Sequence, residues 1–66
     1  MYNYQPLRNL LDSLGQSMKW LMREVGFSTN VAVALNNDRA VTIEIIANIC
    51  RYLNVPIEQV VHIEIN

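Results

Sequence analysis

The sequence predicts a mainly α domain of five helices, closed by a short antiparallel pairing of strands from the two ends of the chain. Three observations predict it. Apolar residues recur at helical spacing in successive blocks along the chain. Serines and a glycine stand where two of those blocks must start and stop. Polar and apolar residues alternate at the two ends, in Tyr2-Asn3-Tyr4 and in His62-Ile63-Glu64-Ile65-Asn66.

The 66 residues make one domain, 1–66, near the lower size limit for a chain that folds without staples, and 52% apolar composition provides the core material for a compact bundle. The single cysteine, Cys50, allows no intrachain disulfide and no paired metal ligand; it is expected to be a small core residue in a reducing cytoplasm. No apolar run reaches the roughly 20 residues that span a bilayer, so no membrane role is expected. A charged-then-apolar leader is also missing, and no signal peptide is expected.

Taken in order, Tyr2–Tyr4 reads as a short strand. Pro6 then starts the first helix, where its missing amide costs nothing, and Leu7, Leu10, Leu11 and Leu14 form its apolar face up to Gly15. Ser17 caps the second helix, whose stripe is Met18, Leu21, Met22 and Val25 and which Gly26 ends. Ser28 caps the third, with Val31, Ala32 and Leu35 inward and Thr29, Asn30, Val33 and Ala34 outward. Helix, tight turn and helix over Ser17–Leu35 make a helix-turn-helix shape. Asn36-Asn37-Asp38 is a turn signal. Thr42 caps a fourth helix, Ile43 to about Leu53, apolar over most of its circumference and so expected to be buried and central. Asn54 ends it, and Pro56 starts a short fifth helix containing Ile57, Val60 and Val61. A two-strand ribbon is marginal alone, and the tail strand's natural partner is the one at Tyr2–Tyr4.

Net charge is −1, unevenly spread. Residues 1–40 hold Arg8, Lys19, Arg23 and Arg39 against Asp12, Glu24 and Asp38, whereas residues 41–66 hold only Arg51 against Glu44, Glu58 and Glu64. A basic face on a near-neutral protein is therefore allowed. Catalysis finds no support: there is no glycine-rich phosphate loop and no nucleophile paired with a base, and His62 has no neighbouring ligand or partner. No cofactor and no metal site are expected, and the function is expected to be non-enzymatic.

Leu11–Gly15 (L-x-x-x-G), S-M-K-W-L from Ser17, V-G-F-S at Val25–Ser28, Leu35, V-T at Val41–Thr42 and I-C-R-Y-L-N-V at Ile49–Val55 occur in an order that resembles the lambda-repressor/Cro-type (XRE-like) helix-turn-helix regulators. The opening Y-Q-P-L-R-N-L-L resembles a compact subgroup with paired terminal strands, common on mobile elements. The resemblance implies a five-helix lambda-repressor-like domain. It also implies sequence-specific binding of double-stranded DNA by a cytoplasmic homodimer, usually to repress transcription, with the third helix in the major groove. Carried over by position, Thr29, Asn30 and Ala34 fall where bases are read, and Ser17, Ser28, Asn37 and Arg39 where phosphates are touched. Lys19 joins the phosphate group from its place on the exposed face. Met18 stands where the family often has glutamine; Met22 and Ala32 reverse the usual small and large residues across one packing contact. Trp20 occupies a usually polar position and is a candidate anchor for a partner protein, with Val60, Val61, Ile63 and Ile65 as a candidate dimer interface. The competing function is a protein-interaction module that keeps the helix-turn-helix fold and modulates a partner repressor or another protein.

Overall fold

A computed structural model describes residues 1–65; Asn66, the last residue of the expected tail strand, lies outside the described residues. The order is β1 (Tyr2–Asn3), α1 (Gln5–Ser13), α2 (Met18–Val25), α3 (Thr29–Asn36), α4 (Ile43–Leu53), a single 3-10 turn (Ile57–Gln59) and β2 (His62–Ile63). Four α-helices are present among the described residues, not five. Between the left-handed Asn54 and the strand only a few residues remain, and Pro56 in extended geometry leaves room for one tight turn. The expected ribbon forms: β1 and β2 pair antiparallel, with Tyr2 opposite Ile63 and Asn3 opposite His62.

Local chemistry explains the helix ends. The Ser17 hydroxyl accepts from the Trp20 amide at 3.1 Å, and the Ser28 hydroxyl accepts from the Val31 amide at 3.3 Å. Each cap satisfies one of the unpaired amides of a first turn and is worth about 1 kcal/mol. Gly26 takes φ +93°, a conformation that a side chain would strain, and its amide donates to Met22 at 2.8 Å. Thr42 holds the N-cap position of α4, yet its hydroxyl makes no capping bond. α1 starts at Gln5, one residue before Pro6, and the free amides around its start are taken by side chains: Gln5 donates to Asn3 Oδ1 and Tyr4 to Asp38 Oδ1.

The core is Tyr4, Leu7, Leu11, Leu21, Leu35, Ile46, Ile49 and Val60. Each helix supplies one or two fully buried side chains, and α3 supplies only Leu35. Two expected faces are narrower than the apolar pattern suggests. Leu14 is half-exposed at the end of α1, and Ile43 is 70% exposed at the start of α4. α4 is therefore amphipathic, buried along Ile46 and Ile49, and does not run through the centre of the domain.

One polar cluster ties the chain's beginning to the end of α3. The Arg8 guanidinium donates to the Leu35 carbonyl at 2.7 Å and pairs with Asp38 at 3.0 Å. Asp38 also accepts from the Tyr4 amide at 2.8 Å, and the buried Tyr4 hydroxyl donates to the Arg39 carbonyl at 2.7 Å. Asp38 sits at φ 58°, a region that aspartate tolerates better than most residues. The turn after α3 is thus clamped from both sides. The Arg8 hydrogen bond, followed by the Tyr4 amide, holds the Asp38 carboxyl below its usual range, whereas burial pushes the Tyr4 phenol up.

A carboxyl depressed in the folded state stabilises the fold above its unfolded pKa, and the contribution is lost as pH falls through the folded value. The melting temperature is therefore expected to drop as pH falls below about 4, the ordinary aspartate range. Asp38→Asn should melt lower than the parent at neutral pH and show a shallower acid decline. Circular dichroism melts across acid pH check this; equal acid slopes in the two proteins would contradict the clamp.

Candidate nucleic-acid interface

α3 is held from behind by Leu35 and the half-buried Val31, so its opposite face is turned to solvent. On that face Thr29 and Asn30 are exposed, Val33 is 44% exposed, and Ala34 is half-buried. With 3.6 residues per turn, positions 29, 30, 33 and 34 fall within one third or so of the helix circumference. The three residues marked for base reading are thus brought to one side of one short helix, with Val33 between them. Asn30 makes no hydrogen bond with any described residue and keeps its whole amide for a ligand. Thr29 makes only a weak contact, its hydroxyl 3.9 Å from the Met22 sulfur.

The residues marked for phosphate contact flank this face. Ser17 and Ser28 are exposed at the first turns of α2 and α3. Each hydroxyl oxygen accepts its capping bond, and its own proton remains available to an oxygen acceptor. Both helix starts also present backbone amides and the positive end of a helix dipole, an arrangement suited to anions. Asn37 is exposed and donates one amide hydrogen to the Val33 carbonyl at 2.8 Å, which orients the remainder of its side chain outward. Arg39 is exposed beyond the clamped turn; its amide donates to Ala34 at 2.9 Å, and its guanidinium makes no ion pair among the described residues. Lys19 is exposed on α2.

Lys19 and Thr29 share a groove of about 380 Å³ along the α2–α3 seam, with Met18, Met22, Ala32 and Asn36. Met22 and Ala32, the pair expected to exchange size across one contact, both line it, and both are half-buried. Arg8, counted among the positive charges of this half, commits its guanidinium to the Asp38 clamp; it is half-buried and lines a cavity with Ser17 and Asn36. The cations facing solvent near the site are therefore Lys19, Arg39 and, on α2, Arg23.

The candidate protein-contact residues separate. Trp20 is half-buried, packed edge-to-face on Tyr52 with ring centroids 5.9 Å apart, and it covers part of the core. Next to it the Tyr52 hydroxyl donates to Glu24 at 2.5 Å, a bond that raises the Tyr52 phenol pKa. Trp20 thus cross-links α2 and α4. Val60 is fully buried and belongs to the core, so it is corrected out of the interface set: the tight turn points it inward, where a regular helix was expected to leave it available. Val61 is half-buried, while Ile63 and Ile65 are 52% and 90% exposed. Ile63 lines an apolar groove of about 300 Å³ with Tyr2, Val41, Ile43, Ile57 and Val61. That groove is absent from the sequence pattern because its walls come from both chain ends and the start of α4.

No His, Cys, Asp and Glu grouping suited to a metal is present among the described residues, and no helix there is long and apolar enough to cross a membrane. Cys50 is half-buried, and burial pushes its thiol pKa up.

Set beside known proteins, residues 6–64 match the family model described as the Cro/C1-type HTH DNA-binding domain. Among solved structures, the crystal structure of the transcriptional regulator VanUg (Form II) superposes with a TM-score of 0.89 at 24% identity, over 92% of this chain and 81% of that one. At that identity the likeness speaks for the fold. No curated protein matches the chain.

Proposed function

The chain belongs to the Cro/C1-type HTH DNA-binding domain family, and from that premise we propose that it is a cytoplasmic, sequence-specific transcriptional repressor that binds double-stranded DNA as a homodimer. α3 lies in the major groove. Thr29, Asn30 and Ala34 meet base edges, and Ser17, Lys19, Ser28, Asn37 and Arg39 meet phosphates. The observation that carries this is the unpartnered Asn30 side chain on the outer first turn of α3, with capping serines and exposed cations on either side. An asparagine amide there can pair bidentately with adenine. The phosphate contacts supply affinity and fix register, and the base contacts supply discrimination.

Two half-sites need two copies of α3. The surface supporting self-association is the apolar groove at the terminal ribbon, where Tyr2, Ile43, Ile57 and Ile63 are 43–70% exposed with Ile65 beyond them. Large exposed apolar side chains gathered in one place mark an interaction surface. Ile63→Glu is expected to shift the protein to monomer in sedimentation equilibrium and to weaken binding to a two-half-site duplex far more than to a single half-site. Parent protein that stays monomeric on such a duplex would overturn the homodimer.

The competing reading, a module that binds a partner repressor, draws on the same apolar face. Gel retardation on the chain's own upstream region separates the two. Specific retardation that weakens steeply as salt rises supports the DNA reading, because phosphate contacts release counterions. A partner complex without any DNA retardation supports the other.

A further inference from the structure

The outer first turn of α3 carries one group able to hydrogen-bond bidentately, the Asn30 amide, and a second exposed amide, Asn36, stands at the far end of the helix; between them are the Thr29 methyl, the Val33 isopropyl group and the Ala34 methyl. Val33 is unusual in this setting. It is 44% exposed at the middle of the surface that faces the ligand, on a helix whose burial is already satisfied by Val31 and Leu35. It belongs neither to the buried core nor to the lining of the α2–α3 groove. Its backbone is anchored towards the helix end: the Val33 carbonyl accepts from the Asn37 side chain and amide, and the clamp of Arg8 on Leu35 and Asp38 follows directly. A branched apolar side chain is thus presented rigidly to whatever α3 meets.

In the major groove only one base carries an apolar group, the C5-methyl of thymine. A helix face made of methyl groups has no other way to discriminate there. We propose that Val33, with Thr29 and Ala34 beside it, is a specificity-determining residue that reads thymine C5-methyl groups, so that each half-site is recognised by one amide-to-adenine contact and by adjacent thymine methyls. The proposal rests on the placement of α3 in the major groove given above, and deepens it by naming what the apolar part of the helix reads. The half-site is accordingly rich in A·T pairs, and a uracil in place of the critical thymine, which keeps every hydrogen-bonding group and loses only the methyl, is discriminated against.

The test uses the parent protein, a duplex selected by it from random DNA, and versions of that duplex in which each thymine is replaced singly by deoxyuridine. One or two positions per half-site are expected to lose about fourfold in affinity, the value of one buried methyl-sized group. Val33→Ala, an exposed change that leaves the core untouched, should remove the penalty at one of those positions, so that the two changes together cost no more than either alone. Penalties at those positions that persist unchanged in Val33→Ala would assign the methyl contact elsewhere and overturn the role of Val33. Uracil duplexes bound as tightly as the parent duplex at every position would overturn methyl reading while leaving DNA recognition intact. Failure to select any duplex would overturn both.

Discussion

Leu35→Ala is expected to unfold much of the domain and to abolish DNA binding without touching the outward face of α3. Leu35 is fully buried and is the only residue of α3 in the central core. Truncating a buried leucine costs about 2–5 kcal/mol, because transfer free energy and packing contacts are both lost. At roughly 0.05–0.15 kcal/mol per residue, a domain of this size has about 3–10 kcal/mol in total, so a single deletion can consume most of it. The same residue's carbonyl accepts from Arg8, and the turn that follows holds Asp38, so loosening α3 also strains the clamp. A fall in melting temperature of about 10 °C or more is expected, read by circular dichroism. Val33→Ala, on the opposite side of the same helix, should melt close to the parent. A Leu35→Ala protein that melts with the parent would show that α3 is held by contacts other than those described.

Asn30→Ala is expected to have the largest effect on recognition. The side chain is exposed and makes no hydrogen bond among the described residues, so its removal is expected to leave stability almost unchanged. A bidentate asparagine–adenine pair is worth about 1–3 kcal/mol of discrimination, or on the order of tenfold to a hundredfold between the right base and a wrong one. Asn30→Ala should therefore bind its preferred site less tightly, bind mismatched sites about as before, and become indifferent to the base at one position. Arg39→Ala should behave differently: weaker binding on every sequence alike, and a salt dependence shallower by about one unit in the log–log slope. Fluorescence anisotropy with matched and mismatched duplexes at several salt concentrations distinguishes the two. If Asn30→Ala lowered affinity equally on all sequences, the residue would be positioning the protein and not reading a base.

Much of this layout is legible in the residue order because the signals are local. A serine three residues before a free amide, or a glycine at the end of an apolar stripe, acts within one turn of chain, and Ser17, Gly26 and Ser28 do in the structure what their spacing implies. The terminal ribbon was legible for a different reason, since the two ends of the chain alternate outside any helical pattern and each needs a partner. The clamp was not. Tyr4 and Arg8 reach Asp38 and Arg39 across 30 or more residues, and nothing in either stretch marks the other. The candidate dimer surface failed at Val60 because the sequence pattern cannot tell a helix from a single 3-10 turn over so few residues, and the two point a side chain in different directions. Ile43 misled through composition: an isoleucine-rich helix reads as buried all round, while packing buries Ile46 and Ile49, covers Ile45, Cys50 and Leu53 in part, and leaves Ile43 at the helix start exposed. Within the candidate site, the outward positions, Val33 among them, follow from helical period.

The central claim is that α3 recognises a particular DNA sequence. Selection of bound fragments from random duplex DNA at low salt tests it most directly. Enrichment of a two-fold symmetric site with A·T pairs in each half is expected, with the preference at one position per half lost when Asn30→Ala protein is used. A bound pool no different in sequence from the starting pool, at any round, would contradict it.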